Sequence, residues 1–225
     1  ADLRWIPLRE LSVGSRVISV DEFPAVRSRG KSRTFQTAIV EAIHIVKKPA
    51  FELKLDNGGS IIATGEHRFL ARKGYHWGHH SGTVWRAVST LNKPAKNNRG
   101  RGGKHRLRFI VTPWNSGQTY DDGWMGGILD GEGCFRWKRS GAEVNITQTD
   151  GPVWDRILAY FAQRGYLNYI HVDNRPPGKN SKLGSKPINR LHVFRMNEIW
   201  KLFGQTRPSR FMVNEWWNGK ALGGC

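Results

Sequence analysis

Two carboxylates, Asp130 and Glu132, close a glycine-rich apolar stretch that reads WMGGILDGEGCF from Trp124 to Phe135. The stretch from Gly123 to Gly133 is expected to form an apolar helix ended by glycines. Within a helix Gly126, Gly127 and Gly131 each cost about 1 kcal/mol relative to alanine, so a compensating contact is required. Gly127 and Gly131 are four residues apart, a spacing that lets a second helix approach backbone to backbone. Asp130 and Glu132 fall at the helix C-terminus, where the macrodipole is already negative. Acids set against the dipole point to a cation. Mg²⁺ suits the site, being hard, oxygen-seeking and usually held by one or two carboxylates together with phosphate and water. That combination hydrolyses phosphodiesters without a His or Ser nucleophile, because the metal clamps the attacking and leaving oxygens.

The elements that must position these acids follow in a regular order. Residues 134–148 read as a hairpin turning at Ser140-Gly141. A helix over 152–163 is expected next, capped by Asp150, with Pro152 in its first turn and Gly165 as its stop. A second hairpin spans about 166–195, with a loop through Pro176-Pro177-Gly178, and helices follow near 197–203 and 209–217. The order is that of an α+β unit. Strand alternation puts Phe135, Trp137, Val144 and Ile146 on one face and Arg136, Lys138, Asn145 and Thr147 on the other. A donor-rich face of this kind suits a β-ribbon in the DNA major groove. Tyr169, His171, Arg190 and His192 are the corresponding candidates in the second hairpin. Up to about residue 112 the pattern is β: RVISV, TAIVEAIHIV, FELKL and SIIAT alternate and are separated by turn residues, with Asp56-Asn57-Gly58-Gly59 the clearest hairpin signal.

Charge fits a polyanionic partner. The 225 residues include 36 Lys+Arg and 18 Asp+Glu, a formal net charge of +18. Residues 1–112 hold 21 of the bases and 8 of the acids. No acid occurs between Glu66 and Asp121, and the loop NKPAKNNRGRGGKHR within that run brings together Lys93, Lys96, Arg99, Arg101 and Lys104 as candidate phosphate contacts. Two cysteines, Cys134 and Cys225, make neither a disulfide framework nor a four-cysteine zinc site. His76, His79 and His80 lack cysteine neighbours and read as a solvated loop rather than a zinc site. No run approaches the roughly 18 apolar residues of a membrane span, and ADLRWIPLRE is too charged for a signal peptide. The expectation is a soluble intracellular protein, cytoplasmic or nucleoid-associated, with double-stranded DNA as partner and neither membrane nor small-molecule substrate.

The segment Met125 to Gly133, MGGILDGEG, resembles the LAGLIDADG motif of homing endonucleases, and the order of elements across 113–225 agrees with that family. The resemblance implies a motif helix packed on its counterpart at a two-fold axis through Gly126, Gly127 and Gly131. One motif per chain then implies a homodimer acting on a roughly palindromic site. It further implies that Glu132 binds Mg²⁺ at the scissile phosphates, that Asp130 is a more structural helix-end acceptor, and that Gln148 orders water in the catalytic pocket. Arg207 or Arg210 would supply the base near the phosphate. A non-cleaving DNA-binding regulator or an RNA maturase on the same fold is the first alternative.

Residues 3–22, LRWIPLRELSVGSRVISVDE, with Thr64-Gly-Glu-His-Arg-Phe-Leu70, resemble the Hint fold of inteins and hedgehog autoprocessing domains. In that family the Thr-x-x-His pair, Thr64 and His67, polarises a scissile peptide. The chain opens at Ala1 and ends GKALGGC, without the nucleophile and terminal Asn that splicing needs, so no self-splicing is expected. His67 is then a relic or a core histidine, and intein-type processing is the second alternative. The expected architecture is a two-domain chain: a mainly-β, Hint-like basic domain over 1–112 that extends DNA contact, followed by an α+β LAGLIDADG endonuclease domain over 113–225.

Overall fold

The computed structural model describes residues 2–23, 33–56, 58–73, 83–91, 105–108, 113–115, 119–138, 141–166, 169–173, 188–213 and 215–220. In chain order, the elements are β1 (Arg16–Val20), β2 (Phe35–Ile39), β3 (Ala50–Lys54), β4 (Ser60–Thr64), β5 (Arg68–Lys73), β6 (Val84–Ala87), α1 (Val88–Leu91) and β7 (His105–Leu107). Then come α2 (Tyr120–Glu132), β8 (Gly133–Lys138), β9 (Gly141–Gln148), α3 (Pro152–Arg164), β10 (Tyr169–Asp173), β11 (Ile188–Val193), α4 (Met196–Thr206) and α5 (Ser209–Met212). No helix among the described residues is long and apolar enough to cross a membrane.

Two compact units divide the chain, one joining Ala1–Glu41 to Thr112–Cys225 and the other formed by Ala42–Val111. Residues 1–41, expected to share a domain with the rest of 1–112, cluster instead with 112–225. Burial explains it. Phe35 on β2 is fully buried and lies 4.8 Å from the Trp200 ring of α4. Its backbone N–H donates to Lys220 O at 2.9 Å, and its carbonyl accepts from Gly219 N at 2.8 Å. Glu215 ties down both strands of the β1–β2 ribbon, accepting from Arg16 Nη2 at 2.6 Å and from Thr37 Oγ1 at 2.7 Å. Leu3 is buried, and its carbonyl accepts the Trp114 indole N–H at 3.0 Å. Gly204 admits this contact, since a Cβ there would lie 2.0 Å from Trp114 Nε1.

The larger unit carries an antiparallel sheet in the order β10-β11-β9-β8, with α2 and α4 packed against β9. Its core joins Val144, Ile146, Leu191 and Val193 of the sheet to Met125 and Leu129 of α2, Ile157 and Phe161 of α3, and Ile199 and Phe203 of α4. The β8–β9 hairpin closes with Lys138 paired to Gly141, so Gly141, expected in the turn, belongs to β9, while Ser140 lies outside the described residues. α3 starts at Pro152 and stops at Gly165, which adopts φ 63, the left-handed cap that glycine accepts without strain. Its N-cap is Gly151 rather than Asp150; the Asp150 carboxylate is engaged by Asn189 Nδ2 at 2.5 Å.

The smaller unit has a β3–β4 ribbon and a three-stranded sheet in the order β6-β5-β7. The long strand expected over 37–46 ends at Ile39 in the larger unit, because its ladder partner β1 is only five residues long. Residues 40–49 are outside any strand, and Ile45 is 99% exposed.

Candidate functional site

The motif helix begins earlier than its apolar pattern suggests. Thr119 caps it, its Oγ1 accepting from Asp122 N at 3.1 Å, and Asp121 and Asp122 sit in the first turn, where the dipole favours acids. Both acids tie α2 to α3. Asp121 accepts from Arg156 Nη2 at 2.6 Å, and Asp122, 2% exposed, accepts from Tyr160 OH at 2.8 Å and pairs with Arg164 Nη2 at 2.9 Å. Burial, then the bond to Asp122, pushes the Tyr160 phenol pKa well up. Burial does the same to Tyr166, whose hydroxyl bonds Gln205 Oε1.

At its other end α2 passes into β8 with no loop. Gly133 makes that possible, because a Cβ there would lie 2.4 Å from Leu129 O. Arg210 closes the helix: its Nη2 donates to Leu129 O at 3.0 Å and also to Gly133 O. A cation at the C-terminus offsets the dipole. Phe211 secures Arg210 by stacking on Phe203, centroids 5.0 Å apart, within a cluster that includes Phe135 and Trp216.

The two motif acids have different surroundings. Asp130, half-buried, is spent on the chain's own backbone, Oδ2 accepting from Ser209 N at 2.8 Å and Oδ1 from Arg210 N at 2.9 Å. Glu132 is exposed, and its carboxylate makes no hydrogen bond or ion pair among the described residues. No group of three or more His, Cys, Asp or Glu able to hold a metal occurs among them. A lone unspent carboxylate nonetheless fits Mg²⁺, which needs few protein ligands when phosphate and water complete its shell.

Of the other residues named with the acids, Gln148 lies on the core-side row with Val144 and Ile146, paired with Asn189, and its Oε1 accepts from Thr149 N at 2.9 Å. Because Gly133 pairs with Ile146, Gln148 is two residues beyond that pair, at the end of the sheet where α2 enters β8. Arg207 turns to the N-terminal segment instead, where Nη1 donates to Asp2 O and Nη2 lies 3.7 Å from Asp2 Oδ2. Of the two candidate arginines, Arg210 is at the motif helix end.

The strand register collects the predicted reading residues on one sheet face. His192 pairs with Asn145 and Tyr169, and Arg190 with Thr147 and His171. On β8, Arg136 and Lys138 share that row. Arg136 and His171 are exposed, Thr147 and Arg190 half-buried. Asn145 and His192 are buried instead, at 7% and 9% exposure. Sequence reasoning missed Glu143 on the same face, although its alternation with Asn145 and Thr147 would have found it. It is 1% exposed, with Oε2 2.6 Å from Arg136 Nε and Oε1 2.7 Å from His192 Nδ1. That bond raises the Arg136 pKa above its ordinary value.

The glycines of α2 divide between two faces. Gly126 is buried against its own chain, where a Cβ would lie 2.4 Å from Thr206 O. Gly123, Gly127 and Gly131 form an exposed stripe at which an added Cβ meets nothing within 4 Å. The resemblance placed Gly126 with Gly127 and Gly131 at a dimer seam and left out Gly123, whereas the fold turns Gly126 against its own chain and puts Gly123 in the exposed stripe.

In the smaller unit, Thr64 ends β4 and His67 lies in the turn before β5, its N–H donating to Thr64 O at 3.0 Å. His67 is exposed, which removes the core-histidine alternative, and its ring lies 4.7 Å from that of Phe69. Lys93, Lys96, Arg99, Arg101 and Lys104, with His76, His79 and His80, lie outside the described residues. Comparison with protein-family models, with curated proteins and with solved structures returns no match for this chain.

Proposed function

We propose that the chain is a site-specific, double-strand DNA endonuclease of LAGLIDADG type that acts as a homodimer with Mg²⁺. The observation that carries this reading is the contrast between the two motif acids: Asp130 is consumed by backbone donors, whereas Glu132 is exposed and unpaired among the described residues at the point where α2 enters the reading sheet. Glu132 would hold the metal. When bound, Mg²⁺ supplies Lewis-acid stabilisation of the oxygens at the scissile phosphate. Asp130 and Arg210 keep the helix end in place, and Gln148 at the same sheet end orients water. The row from Arg136 to His171 meets the bases, and positive charge in the smaller unit adds phosphate affinity. The open stripe of Gly123, Gly127 and Gly131 supports association with a second copy through α2.

The test is incubation of the full chain with a library of duplexes containing partial palindromes, in Mg²⁺ and separately in Ca²⁺. Glu132→Gln is expected to abolish cutting and to leave binding nearly intact, because it removes a metal ligand and no phosphate contact. Cutting by the variant would refute the metal assignment. Sequence-selective binding by the wild type without cutting in any divalent metal would favour a regulator on this scaffold.

A further inference from the structure

The sheet face assigned to DNA contains a carboxylate that cannot touch DNA. Glu143 lies directly opposite Arg136 on β8 and diagonal to His192 on β11, and its side chain is 1% exposed. An exposed acid here could accept from a cytosine amino group; burial removes that role. A buried carboxylate is also costly unless its oxygens are satisfied by donors. Here both are engaged, one by Arg136 Nε and the other by His192 Nδ1. The His192 ring is held in turn against Phe194, centroids 5.4 Å apart and planes within 7°.

The consequence falls on Arg136, whose side chain is 49% exposed. Arginine carries five donors on a rigid plane. With Nε bound to Glu143, the plane is set before any ligand arrives, and the two Nη nitrogens make no hydrogen bond among the described residues. Paired guanidinium donors match guanine O6 and N7 in the major groove. Fixing a long side chain beforehand also lowers the ordering cost of binding. We propose that Glu143 is a positioning residue for base readout, holding the Arg136 guanidinium so that its outer edge selects a guanine in each half of the target. This inference rests on the DNA-reading assignment of the sheet.

Selection from randomised duplexes with the full chain tests it. The wild type is expected to enrich guanine at one position per half-site, and Arg136→Ala to lose that preference. Glu143→Gln keeps the shape but replaces an acceptor oxygen with a donor. It is expected to weaken the same guanine preference about tenfold, while other positions and the salt dependence of binding stay as in the wild type. A general loss of stability would instead lower affinity evenly across positions. If Glu143→Gln keeps the preference that Arg136→Ala loses, the role of Glu143 is refuted and the DNA-reading assignment stands. A wild type that selects no sequence refutes both. Should Glu143→Gln fail to fold, the wild type still decides the matter by NMR. The Arg136 Nε–H is expected to exchange with water much more slowly than those of exposed arginines whose Nε meets no carboxylate; equal exchange overturns the proposal.

Discussion

Asp130 and Arg210 clasp one another's elements. The Asp130 carboxylate accepts the backbone N–H groups of Ser209 and Arg210 at 2.8 and 2.9 Å, while the Arg210 guanidinium donates to Leu129 O and Gly133 O at the end of the helix that bears Asp130. The Asp130 carboxylate satisfies two N–H groups at the start of α5, and Arg210 adds a second donor to Leu129 O, which also accepts from Gly133 N, so the end of the motif helix and α5 are tied together beside Glu132.

Breaking the clasp should act on stability first and on catalysis through geometry. Asp130→Ala removes two hydrogen bonds to a charged acceptor, and a loss of about 2–4 kcal/mol is expected. Arg210→Ala should lower stability less, since the helix-end carbonyls can turn to water. Denaturant melts measure both. Isothermal titration with Mg²⁺ in the presence of target DNA should leave metal affinity far more sensitive to Glu132→Gln than to Asp130→Ala; the reverse order would exchange the roles of the two acids.

The glycines of α2 are predicted to behave oppositely on substitution. Gly126→Ala forces a Cβ onto Thr206 O and is expected to destabilise the chain by about 1–3 kcal/mol. Gly127→Ala meets open space and adds helix propensity, so the isolated chain should gain up to about 1 kcal/mol. If this stripe is the dimer seam, the same substitution weakens self-association in sedimentation equilibrium. Unchanged association would remove the stripe from the interface.

Alkaline pH should unfold the larger unit through two phenols. Burial raises both Tyr160 and Tyr166 above the ordinary phenol value. A pKa higher in the folded than in the unfolded chain contributes stability that is complete below the unfolded value, about 10, and is lost as pH rises beyond it. Denaturant melts across that range should show the decline, and Tyr166→Phe should flatten it. A decline of equal steepness in that variant would exclude Tyr166 as a source.

Truncation should expose the division of the chain. Removing residues 1–112 deletes Leu3 and Phe35 from the core of the larger unit, and loss of cooperative unfolding is expected. Phe35→Ala alone should cost about 3–5 kcal/mol. Replacing 42–111 by a Gly/Ser linker leaves those contacts in place, so a cooperative melt should survive, while DNA affinity falls and its salt dependence flattens with the lost positive charge. Unchanged affinity and salt slope would exclude the smaller unit from DNA contact.

Local chemistry was legible from the residues alone. Proline at the first turn and glycine at the end set α3, alternation set the rows of β8 and β9, and the start of β4 followed from SIIAT, because each depends on φ/ψ preferences and periodicities within a few neighbours. Three features needed the fold. Phe35 joins the C-terminal core only because strand β2 meets residues 215–220, nearly the whole chain away. Gly126 and Gly127 are chemically identical neighbours, yet 100° of helix rotation sends one against Thr206 and leaves the other open. Above all, residue order is enough to stand two acids at the negative end of a helix. Which of them is spent and which remains exposed was decided by the return of Ser209 and Arg210 to Asp130, a long-range contact that no local pattern encodes.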